Sequence, residues 1–150
     1  MSELRELYQQ TILDHHRAPR NFRALSRPTA TAKGDNPLCG DRVAVEVEVD
    51  GDVIRDIGFQ GSGCAISRAA ASMMTAALKG QTTAEAEAAF ARFHAMLTER
   101  EPPRDPAGGL GKLAVFAGVR EFPSRIKCAM LPWHTARAAL AGRVETVSTE

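Results

Sequence analysis

The chain has 150 residues, 44% hydrophobic and 25% charged, with a formal net charge of +1. That balance predicts a single soluble domain over 1–150 with a modest core. It lacks the strong positive field that nucleic acid or an anionic membrane would select. Six Phe, one Tyr and one Trp also argue against a base-stacking platform. No apolar run approaches the ~20 residues of a bilayer span, and the charged opening Met1–Glu6 has no signal-like apolar region. A cytoplasmic setting is therefore expected, where reduced thiols serve metals or catalysis rather than disulfides.

In chain order, Leu4, Leu7, Tyr8, Thr11, Ile12 and His15 share one face of an amphipathic helix, which should stop near Ala18-Pro19. Asn21 to Pro28 reads as a connector. Val43, Val45, Val47 and Val49 alternate with Ala44, Glu46 and Glu48, the period-two pattern of a half-buried strand. Asp50-Gly51 predicts a tight hairpin, and Val53, Ile57 and Phe59 continue on the returning strand. Thr29 to Lys33 is expected to add a third strand. After Cys64 the period becomes 3.6, with Ile66, Ala70, Met73, Met74 and Ala77 as one apolar stripe and Gly80 as the stop. A second helix starts at Thr82 with Glu85 as its capping-box partner, burying Ala86, Ala89, Phe90, Phe93 and Leu97. Arg100 to Gly109 reads as an exposed loop and Leu110 to Ala117 as a short helix. The last helix follows Pro123 and stops at Gly142. Pro132 must either kink it or mark a late start. A helix, a β-hairpin and then several helices give an α+β fold, a small antiparallel sheet of about three strands packed against helices.

The chemistry lies in three cysteines, Cys39, Cys64 and Cys128. Their odd number means that disulfides cannot use them all. In Cys39-Gly40-Asp41, residues i and i+2 share a side in extended backbone, so a thiolate and a carboxylate can face one ion. Cys64 ends Gly61-Ser62-Gly63 just before a helix, where the partial positive charge favours thiolate. Cys128 follows Arg125-Ile126-Lys127 near the start of the last helix, where the same reasoning applies. Three thiolates and one carboxylate suffice for a tetrahedral zinc site. Without a Cys-x-x-Cys pair, burial of each cysteine as a small hydrophobe carries comparable weight.

Gly34 to Asp41, Phe59 to Ser67 and Arg125 to Ala129, together with the opening Asp14-His15 and Pro19-Arg20-Asn21, resemble the IscU/NifU-like iron–sulfur cluster assembly superfamily. The resemblance runs from about Leu7 to Leu140. Scaffold-type members carry histidine directly before the third cysteine, and here that position is Lys127. This feature and the long stretch between Cys64 and Cys128 resemble the SufU-type branch. The resemblance implies zinc held by Cys39, Asp41, Cys64 and Cys128. It implies that Cys39 accepts persulfide sulfur from a SufS-type cysteine desulfurase, which offers a histidine to the zinc and displaces Cys39. It also implies delivery to downstream Suf scaffold proteins. Such a protein is a zinc-dependent sulfurtransferase and desulfurase activator rather than a conventional small-molecule enzyme. The alternatives are a scaffold for a transient [2Fe–2S] cluster or Fe2+, which the same ligands could hold, and a zinc-stabilised adaptor without chemistry. Arg125 and Lys127 are candidate partner or supporting residues.

Other motifs carry less. His15 and His16 point about 100° apart on a helix, so His15 reads as a packed histidine, and the resemblance makes Asp14 to Asn21 structural or partner-facing. His94 and His134 stand isolated in sequence with no assigned role. Gly108 to Leu113 lacks the spacing and the Ser/Thr of a phosphate loop. Met73-Met74 reads as core.

Overall fold

The computed structural model describes residues 2–37, 40–98, 111–142 and 146–148. The order is α1 (Ser2–Arg17), β1 (Ala30–Asn36), β2 (Asp41–Asp50), β3 (Val53–Ser62), α2 (Ala65–Leu78), α3 (Thr83–Thr98), a 3-10 segment (Gly111–Glu121), α4 (Pro123–Leu140) and β4 (Val147–Ser148). The sheet runs β3-β2-β1-β4. The first three strands are antiparallel, as expected. The fourth is a two-residue strand that joins β1 in parallel through Gly34↔Val147 and Asp35↔Ser148, so the sheet is mixed. A Val-Ser pair has no periodicity to read, which is why the sequence shows three strands.

The alternation in β2 sets the inner face: Val43, Val45 and Val47 are buried. A register shift after Glu48 pairs Val49 with Ile54 rather than with Arg55. This bulge turns Ile54 inward and leaves Val53 half-buried, a correction that alternation alone could not supply. Helix α4 lies across β1 and β2, and α2 packs on both α4 and β3. At the α4 crossing a Cβ on Gly34 would sit 2.1 Å from Thr135 Oγ1, so the helix approaches the strand only because the side chain is missing. Helix α2 is enclosed on most sides: Ala69 to Thr75 are all buried, whereas Ala77 of the expected stripe is exposed. Met73 and Met74 are core, as expected.

The capping box at α3 is reciprocal, with Glu85 N–H donating to Thr82 Oγ1 at 3.0 Å and Thr82 N–H to Glu85 Oε1 at 3.1 Å. Pro132 lies inside α4, which continues through it; the proline withholds the N–H that would meet the Cys128 carbonyl. The expected loop Arg100 to Gly109 and the phosphate-loop-like start at Gly108 fall outside the described residues. The expected short helix from Leu110 is the longer 3-10 segment.

The Asp14 to Asn21 motif works as a structural tie. His15 Nδ1 meets Ser72 Oγ at 2.6 Å, Arg20 N–H donates to the same hydroxyl, and Asn21 Nδ2 donates to Thr75 Oγ1. Asn21 takes φ +60°, which turns its carbonyl to accept the N–H groups of Arg23 and Phe59. Arg23 then contacts both carboxylate oxygens of Asp56, at 2.7 and 2.8 Å. That guanidinium holds Asp56 below the usual carboxylate range, against a smaller opposing effect of burial.

Phe93 stacks on Trp133 at 4.9 Å and meets Phe116 edge-on at 5.7 Å. It thereby joins α3, α4 and the 3-10 segment. Phe93→Ala is expected to lower unfolding free energy by about 3–5 kcal/mol through lost burial and a cavity, read by chemical denaturation.

Candidate metal centre

Cys64 is the N-cap residue of α2, and its sulfur accepts the Ser67 N–H at 3.4 Å. A cysteine can occupy this cap because its side-chain acceptor reaches the orphan N–H groups of the first turn, as a serine does. Asp41 opens β2 and is fully buried. Its Oδ1 accepts the Cys64 N–H at 2.8 Å, and its Oδ2 lies 3.8 Å from Cys64 Sγ. The β2–β3 register, Arg42 opposite Ser62, is what brings the start of one strand to the end of the other. The two glycines flanking Ser62 make the approach possible. Gly61 has φ +149°, and a Cβ there would sit 2.1 Å from the Arg42 carbonyl oxygen; a Cβ on Gly63 would sit 2.5 Å from Asp41 Oδ1.

Cys128 reaches the same point from α4. It is buried and stands in the second turn of that helix rather than at its start. Cys64 thus stands at a helix start, as expected, whereas Cys128 lies beyond the single turn over which a helix-end charge acts. Ligand atoms of Asp41, Cys64 and Cys128 all lie within 4.8 Å of one another. In a tetrahedral zinc site with Zn–S near 2.3 Å, neighbouring ligand atoms are about 3.8 Å apart. Two thiols and a buried carboxylate at this spacing fit such an ion. Cys39 and Leu38 lie outside the described residues. The Gly40 N–H donates to the Asn36 carbonyl at 2.8 Å.

The remaining candidates separate. Arg125 is exposed at the first turn of α4, its guanidinium 5.0 Å over the ring of Phe122, which is itself 49% exposed. Lys127 is half-buried beside Cys128. Near Cys64, Arg68 lies over Phe22 at 4.7 Å, and it lines a small cleft with Arg42, Ser62 and Gly63, so the rim there is basic. His94 and His134, isolated in sequence, meet in space with ring centroids 6.3 Å apart. Burial first, then the charges of His94 and Arg137, push His134 below its ordinary range. A groove of about 560 Å3 beside them, lined by Thr83, Glu87, Arg137 and Leu140 among others, shares no residue with the cysteine group. Sequence reasoning missed Asn36, which is fully buried with Nδ2 3.9 Å from Cys128 Sγ. Its place three residues before Cys39 was the available signal.

No helix among the described residues is long and apolar enough to cross a membrane. The chain is 39% identical over 140 residues to the zinc-dependent sulfurtransferase SufU of Bacillus subtilis, covering 93% of each chain. It is equally identical to the iron–sulfur cluster assembly scaffold protein IscU of Streptococcus pyogenes serotype M1, covering 93% of this chain and 86% of that one. The structure of FiSufU from Fervidobacterium islandicum AW-1, assigned to the SUF system as a cluster assembly scaffold, superposes with a TM-score of 0.81 at 32% identity, over 87% of this chain and 94% of that chain. The NifU-like N-terminal domain model matches residues 7–129, all three cysteine motifs fall within that span or end at its edge, and the chain belongs to this family, part of the IscU/NifU-like superfamily of iron–sulfur cluster assembly proteins.

Proposed function

We propose that the chain is a sulfur acceptor in cytoplasmic iron–sulfur cluster assembly, taking persulfide sulfur on Cys39 from a SufS-type cysteine desulfurase, with Cys39, Asp41, Cys64 and Cys128 holding zinc. The observation that carries this reading is the meeting of Asp41, Cys64 and Cys128 within 4.8 Å beside the short loop that contains Cys39. Bound zinc is redox-inert and keeps thiolate ligands deprotonated at neutral pH. In the transfer, the Cys39 thiolate attacks the outer sulfur of the donor persulfide. The S–S bond of the donor breaks, its cysteine leaves as a thiolate, and a new persulfide stands on Cys39, with no external oxidant or reductant. Asp41 spans the Cys64 N–H and the ligand cluster, so it fixes the cap of α2 relative to β2. The basic rim of Arg42 and Arg68, with exposed Arg125, offers a surface for a partner. Downstream, the sulfur would pass to Suf scaffold proteins.

Metal and acid-labile sulfide content of protein purified anaerobically, without added metal, tests the reading. About one zinc per chain without sulfide is expected. Iron and sulfide in near-equal amounts with little zinc would replace it with the [2Fe–2S] scaffold.

A further inference from the structure

Asn36 makes three connections in the centre. Its side chain is fully buried, a place an amide occupies when its polar atoms are engaged. Nδ2 lies 3.9 Å from Cys128 Sγ. The Asn36 carbonyl accepts the Gly40 N–H at 2.8 Å across the loop containing Cys39, and the cross-strand partner of Asn36 is Asp41.

The two described cysteines differ in what their surroundings can donate. Cys64, at an N-cap, has the Ser67 N–H. Cys128 stands inside α4, where backbone N–H groups are committed to carbonyls one turn back. β1 supplies a side-chain donor to its sulfur in Asn36.

We infer that Asn36 is a positioning residue of the metal centre, its amide N–H supporting and orienting the Cys128 sulfur when that sulfur is a metal-bound thiolate. The inference rests on the metal-holding part of the function proposed above. A neutral donor suits this position. It draws electron density from the thiolate and fixes its direction without adding a cation that would compete with the metal. Partners of this kind commonly govern affinity as strongly as a weak ligand does.

The test uses the whole chain loaded with the NMR-active isotope of cadmium. One Asn36 side-chain N–H proton is expected to move downfield on loading and to show coupling to cadmium through the N–H···S contact. Asn36→Leu, similar in size and without a donor, is expected to bind cadmium and cobalt about 10–100-fold more weakly in chelator competition. Its sulfur-to-cobalt charge-transfer band should move to lower energy, a change that loosened packing alone would not produce. An unresponsive Asn36 amide on loading would overturn the inference, and so would an Asn36→Leu chain with unchanged affinity and band position. If that variant fails to fold, the spectrum of the native chain decides alone. Failure of the native chain to take up cadmium at all would overturn the metal reading and this inference with it. The uptake titration reads that outcome separately.

Discussion

Cys39→Ala is expected to fold, to bind the desulfurase and to leave its turnover unstimulated. The substitution removes the proposed nucleophile and nothing larger than a sulfur atom. The contact across its loop, Gly40 N–H to the Asn36 carbonyl, uses backbone alone and survives alanine. Unfolding free energy of the metal-free chain should therefore change little, by about 0.5 kcal/mol or less. Persulfide transfer, by contrast, has no substitute, because the outer sulfur must be attacked by a thiolate. The measurement is desulfurase turnover with and without the variant, beside co-elution of the two proteins. Normal stimulation by the alanine chain would remove Cys39 as acceptor. Loss of co-elution would mean that Cys39 acts in docking instead.

Two alanines at neighbouring glycines should separate fold from site. Gly61→Ala places a Cβ 2.1 Å from a backbone oxygen of the paired strand at φ +149°. Neither the Arg42 carbonyl nor the φ angle can yield without parting β3 from β2. Strain of this kind costs about 1–3 kcal/mol, and overpacking adds about as much. The expected loss is about 3 kcal/mol or more, a large share of the roughly 5–15 kcal/mol that holds a domain folded. Gly63→Ala meets the Asp41 carboxylate, 2.5 Å from Oδ1, and a side chain can rotate where a strand cannot. That variant should stay folded, lose the bond from the Cys64 N–H and hold metal about 10–100-fold more weakly. Denaturation and chelator competition read the two effects. Equal behaviour of the two variants in both assays would contradict the placement of Asp41 against the β3–α2 corner.

Much of the local structure was legible because its causes are local. The valine alternation in β2, the Asp50-Gly51 turn and the Thr82–Glu85 cap each depend on residues within a few positions of one another. The placement of Ile54 was hidden because a bulge shifts the alternation without leaving a mark in residue type. β4 was hidden because two residues carry no period. His94 and His134 looked isolated because their contact joins two helices far apart in the chain. The same holds for the Asp14 to Asn21 motif, whose partners Ser72 and Thr75 lie on α2.

By itself, the sequence determined the donor types. It supplies three cysteines in separated motifs, a carboxylate two residues after the first, and a helix beginning directly after the second. The tertiary structure decided that Asp41, Cys64 and Cys128 meet, and that a buried amide stands against Cys128. The reason is that each donor comes from a different element: Asp41 from a strand start, Cys64 from a helix cap, Cys128 from the second turn of α4. Their convergence depends on the β2–β3 register and on how closely α4 lies over Gly34. Those are packing outcomes of the whole core, and no local stretch of residues encodes them.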